Sequence, residues 1–157
     1  MADVGVEHAV TIDIRILRAG DKAALDRVAL DVFDDPIVPA TARAFVADPR
    51  HHLAVAIDDG GVVGFVSAVH YLHPDMPSPE LWINEVSVAE THRGQGLAKR
   101  IMSAILETGR ALGCSVAWVL TERDNAPAMR LYASSGGIEA PKDVVMFEFD
   151  LGEKQST

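Results

Sequence analysis

The stretch Glu85-Val-Ser-Val-Ala-Glu-Thr-His-Arg-Gly-Gln-Gly-Leu-Ala98 decides how the rest of the chain is read. It joins the end of a buried strand to a polar turn, a glycine-rich bend and the first residues of a helix. Upstream, Leu81-Trp82-Ile83-Asn84-Glu85-Val86-Ser87-Val88 has the bulky and β-branched side chains of a half or fully buried strand. Downstream, Leu97, Ala98, Ile101, Met102, Ile105 and Leu106 form one face of an amphipathic helix, with Lys99, Arg100, Glu107 and Arg110 opposite. A strand feeding a helix through Gly94 and Gly96 gathers free backbone N–H groups and the positive end of the helix dipole at one point. Such a point is an anion site, and phosphate is its usual occupant.

The bend is not a nucleotide-triphosphate loop, because no Gly-x-x-x-x-Gly-Lys-Ser/Thr run occurs. It is an incomplete dinucleotide fingerprint as well: Gly94-Gln95-Gly96 is followed by Leu97-Ala98-Lys99, without the third glycine.

Outward from the bend, Thr11 to Leu17 alternates as a first strand, and Asp21 opens a helix through Ala23, Leu25, Val28, Ala29 and Val32. Pro39-Ala40-Thr41 starts a short second helix, closed by Asp48-Pro49. His52–Ile57 and Val62–Val69 flank Asp58-Asp59-Gly60-Gly61, a hairpin signal. A proline-bearing loop, His70 to Glu80, precedes the central strand. After Gly113, Val116–Leu120 reads as a buried strand, Asn125 opens a last helix through Tyr132, and Val144–Phe149 reads as a terminal strand. The expected architecture is a single mixed α/β domain over residues 11–151, ordered β-α-α-β-β-β-α-β-α-β with one parallel βαβ unit. Polar tails are expected at 1–10 and 152–157.

Composition narrows the function classes. The formal charge is −9 over 157 residues with 48% hydrophobic content, and mean hydropathy is +0.13. That balance supports one packed core and disfavours nucleic acid or an anionic membrane as partner, while permitting attraction of a cationic substrate. No apolar run reaches the length of a membrane span, and the first ten residues lack the basic region of a signal peptide. The single cysteine, Cys114, reads as a buried thiol in a reducing, cytoplasmic compartment. His51-His52 and His70-x-x-His73 have no cysteine or acidic set beside them, and neighbouring strand residues face opposite ways, so no metal site is expected.

What the bend does match is Arg/Gln-x-x-Gly-x-Gly/Ala, through Arg93, Gly96 and Ala98. Here the chain resembles the GNAT superfamily of acyl-CoA-dependent N-acetyltransferases, and the order of elements resembles it along nearly the whole length. The run Asn125-Ala-Pro-Ala-Met-Arg-Leu-Tyr132, leading to Gly136, is similar to a second motif of that family, departing from it at Gly137-Ile138. The proline-rich loop, the strand through Glu85 and Val145–Asp150 look like aminoglycoside 3-N-acetyltransferases in particular.

The resemblance implies acetyl-CoA as cosubstrate and direct acetyl transfer to a primary amine, most narrowly the 3-amino group of an aminoglycoside, as in antibiotic resistance. It implies that Val86, Ser87 and Val88 bind the pantetheine arm and that Arg93, Gly94, Gln95, Gly96, Leu97 and Ala98 bind the pyrophosphate. Glu85 is then the base, directly or through water, and Tyr132 the acid, its ordinary pKa of about 10 keeping it protonated. Asn125 either contacts the cofactor or orders the start of its helix. Asp34, Asp35, Asp75 and Glu80 are expected to line an acidic cleft for a cationic small-molecule amine. A homodimer is expected from the family. The bland readings are that Glu85 ends a strand, that Tyr132, Trp82 and Trp118 are core, and that the charge serves solubility. The rival functions are acetylation of another amine (polyamine, small metabolite, or protein lysine or N-terminus) and a non-catalytic CoA-binding sensor.

Overall fold

The computed structural model describes residues 11–141 and 143–152. The expected tail at 1–10, and all but Gly152 of the expected tail at 152–157, lie outside the described residues. Five strands form one mixed sheet in chain order: β1 (Asp13–Ile16), β2 (His51–Asp58), β3 (Gly61–Tyr71), β4 (Glu80–Val88) and β5 (Val116–Val119). The pairs β1–β2, β2–β3 and β3–β4 are antiparallel, and β5 is parallel to β4. Among the described residues three α-helices accompany the sheet: α1 (Pro39–Ala47), α2 (Leu97–Ala111) and α3 (Ala126–Ser134). The mixed α/β class and the parallel βαβ unit are as the sequence predicts.

Local chemistry accounts for most boundaries. Asp59 and Gly60 both have positive φ (46° and 73°), which is what a two-residue primed turn demands between β2 and β3. Pro39 sits in the first turn of α1, where its missing N–H costs nothing. The Asn125 carboxamide oxygen accepts from the Ala128 N–H at 3.2 Å and caps α3. Helix α2 buries Leu97, Ile101, Met102 and Ile105 against the sheet. Gly64 lets it lie close, since a Cβ there would stand 3.1 Å from Ile101 Cδ1 and 3.1 Å from the Ser87 carbonyl oxygen. Val55, Phe65, Val66, Leu81, Ile83 and Ile105 are all buried in the core this creates.

Three expectations are corrected. The first helix is only a 3₁₀ turn over Lys22–Asp26. Beyond it the Arg27 carbonyl accepts from Val62 N–H at 2.8 Å, and Ala29 N–H donates to the Val62 carbonyl at 2.9 Å. Pairing with β3 thus outcompetes a continued helix. The terminal strand at Val144–Phe149 does not form: these residues have strand propensity but no neighbouring strand to satisfy their backbone. Nor is β5 a buried strand. It is the edge of the sheet, with Val116 45% and Trp118 36% exposed. Trp118 is therefore not core; it stacks on Trp82 at 5.6 Å between ring centroids and donates to the Tyr71 hydroxyl at 2.7 Å.

Candidate active site

The site begins with an irregularity in β4. Glu85 pairs with Ser67, but Ala68 pairs with Ile83, so Asn84 is an extra residue in the strand. This bulge reverses the alternation of faces. Ile83 points towards the α2 side, where it lines a cleft with Met102 and Leu106. Glu85, two residues on, emerges on the opposite face beside Phe65 and Ser67. Pairing with β5 also ends at Ile83 and Val119, so β4 beyond the bulge pairs only with β3. The side of Val86–Val88 away from β3 therefore has no strand partner among the described residues.

Past β4 the chain is fastened before it reaches the glycines. Ala89 N–H donates to the Val63 carbonyl at 2.8 Å. Glu90 N–H donates to the Asp31 carboxylate at 2.7 Å, and that bond holds the Asp31 pKa below its ordinary value. His92 bonds Asp58 at 2.7 Å, and the Arg93 guanidinium donates to the Val88 carbonyl at 3.0 Å. Gly94 and Gly96 then take φ of 75° and 71°, a region where other residues pay steric strain. A Cβ at either would meet nothing within 4 Å, so open space lies over the bend. The first-turn amides of α2 have no carbonyl one turn earlier to bind. Glycine backbone, free amides and a helix N-terminus fit a diphosphate.

Two clefts converge on the bulge. One, of about 750 Å³, runs from Asn84–Val88 past Arg93, Gly94 and Gly96 to Asn125 and Tyr132. The other, of about 390 Å³, lies between β3, β4 and α1 and is lined by Phe33, Asp34, Asp35, Phe45, Phe65 and Ser67, with Asn84 and Glu85 again at its end. Its aromatic floor includes Phe33 stacked on Phe65 at 4.0 Å. Burial pushes the Glu85 pKa above the ordinary carboxylate value, and the Asp34 carboxylate pushes it further the same way. Burial also raises the Tyr132 hydroxyl, keeping it protonated.

The structure thus brings together Glu85, Tyr132, Val86, Ser87, Val88, Arg93, Gly94, Gly96, Leu97, Ala98 and Asn125 along one cleft, and Asp34, Asp35 and Glu85 along the other. Gln95 lines neither. Asp75 and Glu80 are not in the acidic cleft. Glu80 begins β4 and accepts from the Tyr71 hydroxyl at 2.8 Å, with His73 3.8 Å away. Sequence reasoning missed Asn84, Ser67, Thr41 and the three phenylalanines of the second cleft. The first was signalled by apolar spacing in β4; the others depend on tertiary packing. Burial raises the Cys114 thiol pKa, as suits an inert cysteine. His52 and His70 pair with each other at 2.7 Å, and burial lowers His52 to about 4. Among the described residues no three potential metal ligands come together, and no helix is long and apolar enough to cross a membrane.

Comparison with known proteins agrees with this geometry. Residues 21–136 match the acetyltransferase (GNAT) family. An aminoglycoside N(6′)-acetyltransferase type 1 from Serratia marcescens is 30% identical over 72% of this chain and 80% of its own length. Rat N-acetyltransferase 8 is 30% identical over 60% of this chain but only 42% of its own length, and an uncharacterized N-acetyltransferase of Bacillus subtilis is matched over 61% of its length. The chain therefore spans about half the length of these last two. In fold, an aminoglycoside acetyltransferase from an uncultured soil metagenomic sample superposes with a TM-score of 0.76 at 21% identity, covering 90% of this chain and 99% of that one. A 6′-type aminoglycoside N-acetyltransferase in complex with CoA gives 0.72 at 20% identity, covering 94% and 99%.

Proposed function

This chain belongs to the acetyltransferase (GNAT) family, and from that premise we propose that it transfers an acetyl group from acetyl-CoA to a primary amine of an aminoglycoside. The observation that carries the reading is the meeting of a diphosphate-fitting cleft and an acidic cleft at Asn84–Glu85. Coenzyme A supplies an acetyl group already activated as a thioester, so no covalent enzyme intermediate is needed. Val86–Val88 offer unpartnered backbone to its arm, and the Gly94–Ala98 amides offer donors to its diphosphate. Asp34 and Asp35 hold a cationic amine by charge. The Glu85 carboxylate, directly or through water, takes the proton that the ammonium must lose before it has a lone pair. The raised pKa makes Glu85 a stronger base than an ordinary carboxylate. The Tyr132 hydroxyl, on the far side of the bulge in the first cleft, holds a proton for the departing sulfur.

The position acetylated belongs to the test. The sequence resemblance points to the 3-amino group, whereas the Serratia relative is named for the 6′-amine. The aromatic floor of Phe33, Phe45 and Phe65 favours a second substrate class, amines on apolar bodies.

Thiol release from acetyl-CoA should be followed with aminoglycosides that carry or lack the 3- and 6′-amines, with spermidine, an arylalkylamine and a lysine peptide. Release with the aminoglycosides is expected. Glu85→Gln should lower turnover about 10²–10⁴-fold while leaving coenzyme A affinity unchanged. Coenzyme A binding without thiol release on any amine would make the protein a sensor, and an unimpaired Glu85→Gln variant would remove Glu85 as the base.

A further inference from the structure

Two polar side chains are buried among the described residues, His52 and Ser67, each 8% exposed. The His52 ring is bonded to His70 at 2.7 Å. The Ser67 hydroxyl has no hydrogen-bond partner among the described residues, yet it is not sealed from solvent either. It opens into the second cleft, between the apolar side chains of Leu53 on β2 and Phe65 on its own strand. Buried hydroxyls in folded proteins are bonded as a rule, so one left free and facing a cleft is placed for a ligand.

Strand register fixes what lies on either side of it. Leu53 of β2 stands opposite Ser67, and Ser67 stands opposite Glu85 of β4. All three line the second cleft and therefore share one face of the sheet. Neighbouring strands lie about 4.7–4.9 Å apart, so a carboxylate, a hydroxyl and an apolar side chain follow one another across the sheet at that spacing. The apolar end continues into Phe45 of α1 and the Phe33–Phe65 stack. A molecule lying along this row with its amine at Glu85 carries its next group over β3 and its body over β2.

We propose that Ser67 sets acceptor specificity: the site takes amino alcohols, whose hydroxyl lies on the carbon next to the amine-bearing one or on the carbon after it. The Ser67 hydroxyl holds that oxygen, and an apolar ring or chain lies beyond it. The inference rests on the acetyl-transfer reading, with Glu85 as the base, and narrows its acceptor. Directly opposed side chains on antiparallel strands have Cβ atoms about 4.5–5.5 Å apart. An amine and a hydroxyl this close in the acceptor span that gap when each makes its own hydrogen bond. Serine can donate to the oxygen or accept from it. The carboxylates of Asp34, Asp35 and Glu85 take the cation, which leaves a neutral oxygen for Ser67. An acceptor without that oxygen cuts the hydroxyl off from water and gives it nothing in return, at a cost in affinity.

The test pairs 2-phenylethylamine with 2-amino-1-phenylethanol, and cyclohexylamine with trans-2-aminocyclohexanol, on the wild type and on Ser67→Ala. Thiol release from acetyl-CoA gives kcat/KM for each amine, and the ratio of amino alcohol to plain amine is compared between the two proteins. The hydroxyl also lowers the basicity of the amine, but both proteins meet that effect equally, so the change in ratio isolates Ser67. Ser67→Ala should lower the ratio about fivefold in at least one pair. Ratios that are the same in both proteins for both pairs overturn the proposal and leave acetyl transfer standing. If no amine releases thiol, the acetyl-transfer reading fails, and calorimetric titration of the same amines into both proteins decides about Ser67. A preference for the amino alcohol that Ser67→Ala loses upholds the contact; equal ratios, or no binding of any amine, overturn it.

Discussion

Glu85 owes its place to Asn84. In an unbroken strand, Ile83 and Glu85 would share a face, and the carboxylate would be buried under α2 with no partner, at considerable cost. The bulge turns it to the opposite face, beside Ser67 and Asp34's cleft. The signal was present in the sequence: Leu81, Ile83, Val86 and Val88 are spaced two, three and two, and the odd interval marks the inserted residue. By contrast the neighbourhood of Asp34 was not legible, because it depends on a segment that folds as a turn rather than a helix. That neighbourhood has a pH consequence. Below its pKa Glu85 is protonated and cannot accept a proton, so kcat/KM falls on the acid side. Burial and the Asp34 charge both move that fall to higher pH. Asp34→Asn removes the second cause, so the acid limb of the pH–rate profile should shift to lower pH without returning to the value of an exposed carboxylate. A limb that does not move would assign the titration to another group.

Among the elements, those defined by their own ends were legible and those defined by a neighbour were not. The primed turn after β2, the Pro39 start of α1, the apolar stripe of α2 and the Asn125 cap of α3 are local signals, and each element appears where the sequence places it. The segment after Asp21 and the run Val144–Phe149 were misread because β3 recruits the first and no strand among the described residues meets the second. The loop between β4 and α2 combines both kinds. Its glycines are legible, while the bonds to Asp31 and Val63 that fix its approach are not. Gly96 should be irreplaceable for a functional as well as a conformational reason. Gly96→Ala places a methyl group at positive φ, costing about 1–2 kcal/mol, and also puts it in the open space over the bend. Coenzyme A affinity should fall by about tenfold or more, the equivalent of roughly 1.4 kcal/mol. Gly20→Ala is the control: Gly20 has φ of 102° and open space, but lies away from the bend. It should lose comparable stability in urea unfolding and leave coenzyme A titrations unchanged. Equal affinity for Gly96→Ala and wild type would show that the bend does not hold the diphosphate.

At the scale of the whole molecule, the two proposed ligands are opposite in sign and the protein is not neutral between them. A charge of −9 attracts a polycationic amine over long range and repels coenzyme A. On the proposed reading coenzyme A is held by short-range donors, the role proposed for the Gly94–Ala98 amides, whereas the amine is gathered by the field before it reaches the proposed contacts at Asp34 and Asp35. Salt separates these two modes. The screening length is about 30 Å at 0.01 M ionic strength and about 10 Å at 0.1 M. Raising salt across that range should lower kcat/KM for an aminoglycoside by about tenfold or more. A monocationic amine should lose much less, and KM for acetyl-CoA should stay level or fall as the repulsion is screened. Initial rates measured at saturating concentrations of the other substrate distinguish the three cases. If kcat/KM for the polycation is as flat as for the monocation, the acidic surface serves solubility alone, and selection among amines rests entirely on the contacts of the second cleft.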